Sequence, residues 1–168
     1  MRKPLFTLSR LALSALAVAG LLALPAHAAG TVEVKYVEAE KFMDFGFGKF
    51  ERDRNQASLD QSFQRLARLL PDGQTLKIDV LDVDLAGEVR HGAVRDVRVV
   101  RGGVDWPRIK LRYSLQAGTT TLKSGEQSVA DMHYLFGVRS FGPRDGALPY
   151  EQRLIDRWFS ETIASSNH

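Results

Sequence analysis

The sequence predicts an α+β domain, a mainly antiparallel sheet of about five strands with two amphipathic helices packed on it. Three observations carry that prediction. Residues 108–115 alternate without a break, Ile109, Leu111, Tyr113 and Leu115 against Arg108, Lys110, Arg112 and Ser114. Two stretches repeat their apolar residues at helical spacing: Leu59, Phe63, Leu66, Ala67 and Leu70 in one, Leu154, Ile155, Trp158, Phe159 and Ile163 in the other. The extended stretches between them are close-set and joined by short turns, which favours antiparallel neighbours.

Taken in order, the chain opens with the form of a secretory signal. Arg2, Lys3 and Arg10 give a basic start, Leu11 to Leu24 is apolar apart from one serine, and Pro25 precedes Ala26-His27-Ala28. The small residues at the first and third of these positions fit a signal peptidase, so cleavage is expected after Ala28. The run is shorter than the roughly 20 apolar residues that span a bilayer, which argues against a permanent anchor. Residues 29–168 are then expected to form a single globular domain. Its location would be a bacterial periplasm or the exterior of the cell.

Thr31 to Val37 has strand period. Phe42, Phe45, Phe47 and Phe50, interleaved with Gly46 and Gly48, follow neither period and read as an ordered loop that plugs one end of the core. The first helix is expected to start near Ser58, which with Gln61 has the form of a capping box; Asn55 is an alternative, earlier cap. Pro71-Asp72-Gly73 ends it. Leu76 to Val83, Val94 to Arg101, Arg108 to Leu115 and Thr120 to Val129 are the following strands, with Ala117-Gly118-Thr119 as a hairpin turn. Trp106-Pro107 suits extended backbone, because a residue before proline is pushed out of the helical region. The last helix runs from Tyr150 to Ala164, with Pro149 in its first turn.

Composition limits the function classes. Three of the 23 Lys and Arg residues lie in the leader and none of the 20 Asp and Glu residues do, so the processed chain is charge-balanced. The high pI therefore belongs to the leader, and nucleic acid is not an expected partner. There is no cysteine. Disulfides, a thiol nucleophile and an amino-terminal lipid anchor are all excluded, so the core alone must hold the fold. A chain of this size can do so, burying about two thirds of its unfolded surface.

Four signatures resemble one known family: Leu76-Lys-Ile-Asp-Val-Leu-Asp-Val-Asp-Leu-Ala-Gly-Glu88, Val104-Asp-Trp-Pro-Arg-Ile109, Ser128-Val-Ala-Asp-Met-His-Tyr-Leu135 and Tyr150-Glu-Gln-Arg-Leu-Ile-Asp-Arg-Trp-Phe159. Together they are similar to the exported bacterial proteins grouped as domain of unknown function 3016, along essentially the whole processed chain. The resemblance implies export and one compact domain. It implies no activity and no functional residues.

Two clusters are candidate sites. Arg108, Lys110 and Arg112, with Arg98 on a possible neighbouring strand, would give one sheet face a basic character suited to an anionic envelope component. The same residues also fit a solvent-facing side whose charges are balanced. Asp82, Asp84, Asp131 and His133 would offer oxygen and nitrogen ligands to a divalent cation, or acid and base groups to a reaction, if the fold gathers them. They equally fit solvated or capping roles, with His133 as a hydrogen-bonded structural histidine. Gly-x-Ser-x-Gly, Ser-x-x-Lys and His-Glu-x-x-His are missing, and no glycine-rich segment completes a phosphate loop. No cofactor is expected. The preferred reading is a non-enzymatic module that binds an envelope protein or anionic envelope component; the alternative is a small periplasmic enzyme or metal-binding protein using the Asp/His cluster. A structural protein that self-associates is a third reading.

Overall fold

A computed structural model describes residues 29–90, 92, 97–136 and 148–167. The expected leader, His91 and residues 94–96 of an expected strand lie outside the described residues. The strands are β1 (Thr31–Tyr36), β2 (Gln74–Asp84), β3 (Glu88–Arg90), β4 (Val97–Val99), β5 (Arg108–Ala117) and β6 (Thr120–Ala130). The α-helices are α1 (Gly48–Arg65), continued by a 3-10 turn at Leu66–Leu69, and α2 (Pro149–Thr162). No described helix is long and apolar enough to cross a membrane.

The class is α+β, but the sheet is divided and mixed. Four strands run in the order β1-β2-β5-β6, and β3 with β4 forms a separate two-stranded sheet. β1 and β2 are parallel, while β2-β5 and β5-β6 are antiparallel. The parallel pair follows from connectivity: α1 lies between the two strands and carries the chain back to its starting end. The strand expected within residues 94–101 is described only at Val97–Val99, where it pairs with β3 and stays out of the main sheet. The β5-β6 hairpin turns at Gly118, whose φ of +58° supplies the left-handed conformation that a two-residue turn needs.

The two helices cover one face. Leu76, Ile78, Val80 and Val83 of β2 and Ile109, Leu111, Tyr113 and Leu115 of β5 meet Leu59 and Phe63 of α1 and Leu154, Ile155, Trp158 and Phe159 of α2 in one buried cluster. Trp158 sits edge-on to Tyr113 at 5.7 Å, and its indole N–H donates to Gln127 Oε1 at 2.8 Å. The tail helix is thus core. A register shift between Val80 and Asp82 leaves Leu81 unpaired on β2. That bulge lets Val80 and Val83 both point inward, and it brings Asp79, Asp82 and Asp84 to the opposite face beside Lys77.

Helix α1 begins at Gly48, well before the expected start at Ser58. Neither suggested cap acts as one: Ser58 Oγ donates back to Arg54 O at 3.1 Å, and Asn55 Nδ2 donates to Phe45 O at 3.1 Å. The backbone N–H of Phe47, at the true start, instead donates to Glu51 Oε2 at 2.8 Å. The first turns of α1 bury only Asn55, so they carry no apolar stripe from which a helical period can be read.

Candidate functional site

The uncovered face of the main sheet holds three of the predicted basic residues. Arg108, Lys110 and Arg112 stand side by side with Asp84, Asp82 and Asp79 across the β2-β5 ladder. Arg108 forks onto Asp84, Lys110 meets Glu126 at 3.0 Å, and Arg112 meets Glu126 at 3.1 Å and Asp79 at 3.7 Å. Hydrogen bonds from Lys110 and Arg112 hold the Glu126 carboxyl below the usual carboxylate range. The face is therefore a lattice of opposite charges whose pairs are weakened by solvent screening. Arg98 is not part of it. It sits on β4, where burial disfavours its charge but a fork onto Asp44, at 2.8 and 3.0 Å, more than restores it.

The acidic candidates have separate partners. Asp82 Oδ1 accepts from the Met43 backbone N–H at 2.8 Å and so pins the segment that follows β1 against β2. Asp84 serves Arg108. Asp131 is buried between Arg153 at 3.4 Å and Arg157 at 3.5 Å on α2, and it also accepts from His133 N at 3.1 Å. The His133 ring is exposed and lies against Phe136 at 5.8 Å; among the described residues nothing holds it by the hydrogen bond expected of a structural histidine. Among the described residues no three His, Cys, Asp or Glu side chains gather as a ligand set.

A different place in the molecule is concave. The segment 42–47 runs beside the end of β2, with Asp44 N donating to Val83 O at 3.0 Å and Leu85 N donating to Asp44 O at 3.1 Å. Gly46 makes its turn at φ +112°, where a Cβ would stand 2.8 Å from Asn55 Nδ2. Of the four phenylalanines expected to plug the core, two do. Phe45 is buried and stacks on Tyr36 at 5.8 Å, and Phe42 packs beside them. Phe47, the extended residue before α1, and Phe50, in its first turn, are 68% and 82% exposed.

Opposite this segment lies the start of the small sheet. Gly87 turns into it at φ +85°, and a Cβ there would come within 2.7 Å of Val99 O. Gly87 N donates to Asp105 O at 2.9 Å, closing the third wall. The open cleft between them has a volume of about 580 Å³ and is lined by Phe42, Met43, Phe47 and Val104, with Glu40, Asp44, Asp84, Glu88 and Asp105 against Arg52 and Arg108. A second groove of about 440 Å³ shares Phe47 and Val89 with it and adds Phe50 and Val97.

Below the cleft, Tyr134 donates its hydroxyl to Asp105 Oδ1 at 2.7 Å and receives the Gly102 N–H at 3.1 Å. Burial and the Asp105 carboxylate push the Tyr134 hydroxyl up to about 12. Desolvation opposes ionisation of Asp105, but the Arg101 N–H and the Tyr134 hydroxyl outweigh it and hold the carboxyl below its ordinary value. Glu151, in the first turn of α2, is buried; its Oε1 accepts from Ala86 N at 2.7 Å, and its Oε2 meets no donor among the described residues. Burial raises its pKa. The cleft's lining holds no His, Ser, Thr or Lys; its charged groups are five carboxylates and two guanidiniums. The sequence pointed at this place only through its cluster of phenylalanines.

No curated protein and no solved structure matches the chain. The family described as Protein of unknown function (DUF3016) matches residues 30–161, nearly all of the described fold including all three walls of the cleft, and the chain belongs to that family.

Proposed function

We propose that the protein is an exported, non-enzymatic binding module that engages a protein of the bacterial envelope at the apolar end of its fold. One observation carries this reading. Among the described residues nine large apolar side chains are exposed, and five of them, Met43, Phe47, Phe50, Val97 and Val104, line the two adjoining grooves. Scattered apolar residues are ordinary on a protein surface, but a contiguous patch rimmed by charge marks an interaction site. Export rests on the form of residues 1–28.

Capture of an anionic component by Arg108, Lys110 and Arg112 has less support, since each already faces a carboxylate. The enzymatic reading needs Asp82, Asp84, Asp131 and His133 to converge, and their separate partners give it none.

A photo-cross-linking residue placed in turn at Phe47, Val104 and, on the uncovered sheet face, Ser124 tests the proposal in the producing cells. The same discrete adduct is expected from 47 and 104, in the envelope fraction, with none from 124. Equal adducts from 124, or a cytosolic protein with Met1 intact, would contradict it.

A further inference from the structure

We infer that the occupant of the larger cleft is a peptide segment that presents a lysine or arginine beside a large apolar side chain. This deepens the binding-module reading and rests on it. Both halves of the description come from the lining.

The apolar half is set by Phe42, Met43, Phe47 and Val104. Exposed Met43 is unbranched and flexible, so it can repack around side chains of different shape. A volume of about 580 Å³ is within the range of sites that enclose a small ligand or a few side chains.

The charged half follows from which carboxylates are already satisfied. Asp44 is neutralised by Arg98 and Asp84 by Arg108. Glu40 and Glu88 remain; Asp105 keeps its charge but already accepts from the Arg101 N–H and the Tyr134 hydroxyl, and Arg52 is the other cation of the lining. Among the described residues neither Glu40 nor Glu88 forms an ion pair. An incoming anion would face this excess of negative charge, whereas an ammonium or guanidinium would compensate it. A purely apolar segment would leave the carboxylates desolvated and unpaired, which is unfavourable.

The test is a titration of the ¹⁵N-labelled protein with three synthetic peptides, followed by amide chemical shifts. The first is acetyl-Gly-Leu-Lys-Phe-Gly-amide; the second has Glu in place of Lys; the third keeps Lys but has Ala in place of Leu and Phe. The first should shift amides of residues 43–47, 85–89 and 104–105 and bind at least about tenfold more tightly than the second. The third should lose most of the affinity. The preference over the Glu peptide should shrink to about threefold or less in the Glu40→Gln/Glu88→Gln double variant, and it should shrink with added salt. Equal binding of the Lys and Glu peptides, shifts elsewhere, or no shifts with the first peptide would each overturn the inference. If cross-links at 47 and 104 persist while any of these outcomes holds, the module stands and the chemistry assigned to its occupant falls. If the cross-links are absent as well, both fall.

Discussion

The uncovered sheet face and the cleft at the end of β2 are both polar and open to solvent, yet they solve opposite problems. On the sheet face each basic side chain named in the sequence has a carboxylate across the ladder, so that surface is complete in itself. At the cleft the large side chains turn outward, and Glu40 and Glu88 are left without an ion pair among the described residues. Charged residues in a row mark a functional surface only when their partners lie outside the chain. Here the row with the strongest sequence signal is the self-satisfied one.

The largest expected effect breaks the cleft wall. Gly87→Val places a branched side chain at positive φ and against Val99 O, and should destabilise the protein by about 3 kcal/mol or more, read by urea unfolding. Gly48→Ala is the control: its φ is also positive, +75°, but nothing lies within 4 Å, so the cost should stay near 1 kcal/mol.

Next in size is the buried carboxyl beneath the same wall. Burial raises Glu151 above its ordinary 4.5 in the fold, so the folded state holds a proton that the unfolded chain releases. Its contribution is fully present below pH 4.5 and is lost as pH rises through the raised value. Glu151→Gln keeps an acceptor for Ala86 N and removes the titration. It should be more stable than the parent at pH 8, with the gap closing toward pH 4, in paired thermal melts.

The sheet face should respond weakly. Replacing Lys110 and Arg112 together by Ser, with the cleft-lining Arg108 left in place, should leave the urea-unfolding midpoint nearly unchanged, because their carboxylate partners are exposed. Retention on anionic vesicles should not change; a salt-dependent loss of retention would return the anion-binding reading to this face. Smallest of all, Phe50→Ser should alter stability by less than about 0.5 kcal/mol while weakening the adduct formed at 104. That separation of stability from binding is what a surface dedicated to a partner requires.

Much of the architecture was legible because it repeats along the chain. β5 and the tail helix advertise a period, and both were located within a residue or two. β1, β2 and β6 were similarly plain. What failed was set by contacts distant in sequence. α1 starts at Gly48, but its first turns bury only Asn55 against Phe45 O, so their period is invisible. β3 is three residues long and exists by pairing with β4. The bulge at Leu81, which sorts Asp79, Asp82 and Asp84 onto one face, has no local mark. The metal and acid-base cluster assumed that β2 and the segment after β6 would meet; instead Asp131 turns to Arg153 and Arg157 on α2. The cleft is the apposition of residues 39–47, 84–89 and 104–108, three segments that no spacing rule connects. Only the exposed pair Phe47 and Phe50 left a trace, and in the sequence it is indistinguishable from the buried pair beside it.

The most direct measurement is the ratio of adduct formed from a photo-reactive residue at Val104 to that formed at Ser124, in cells producing the protein at its natural level. The account predicts one discrete adduct at 104, competed by the Leu-Lys-Phe peptide, and background at 124. An adduct at 124 equal to or greater than that at 104 would contradict it.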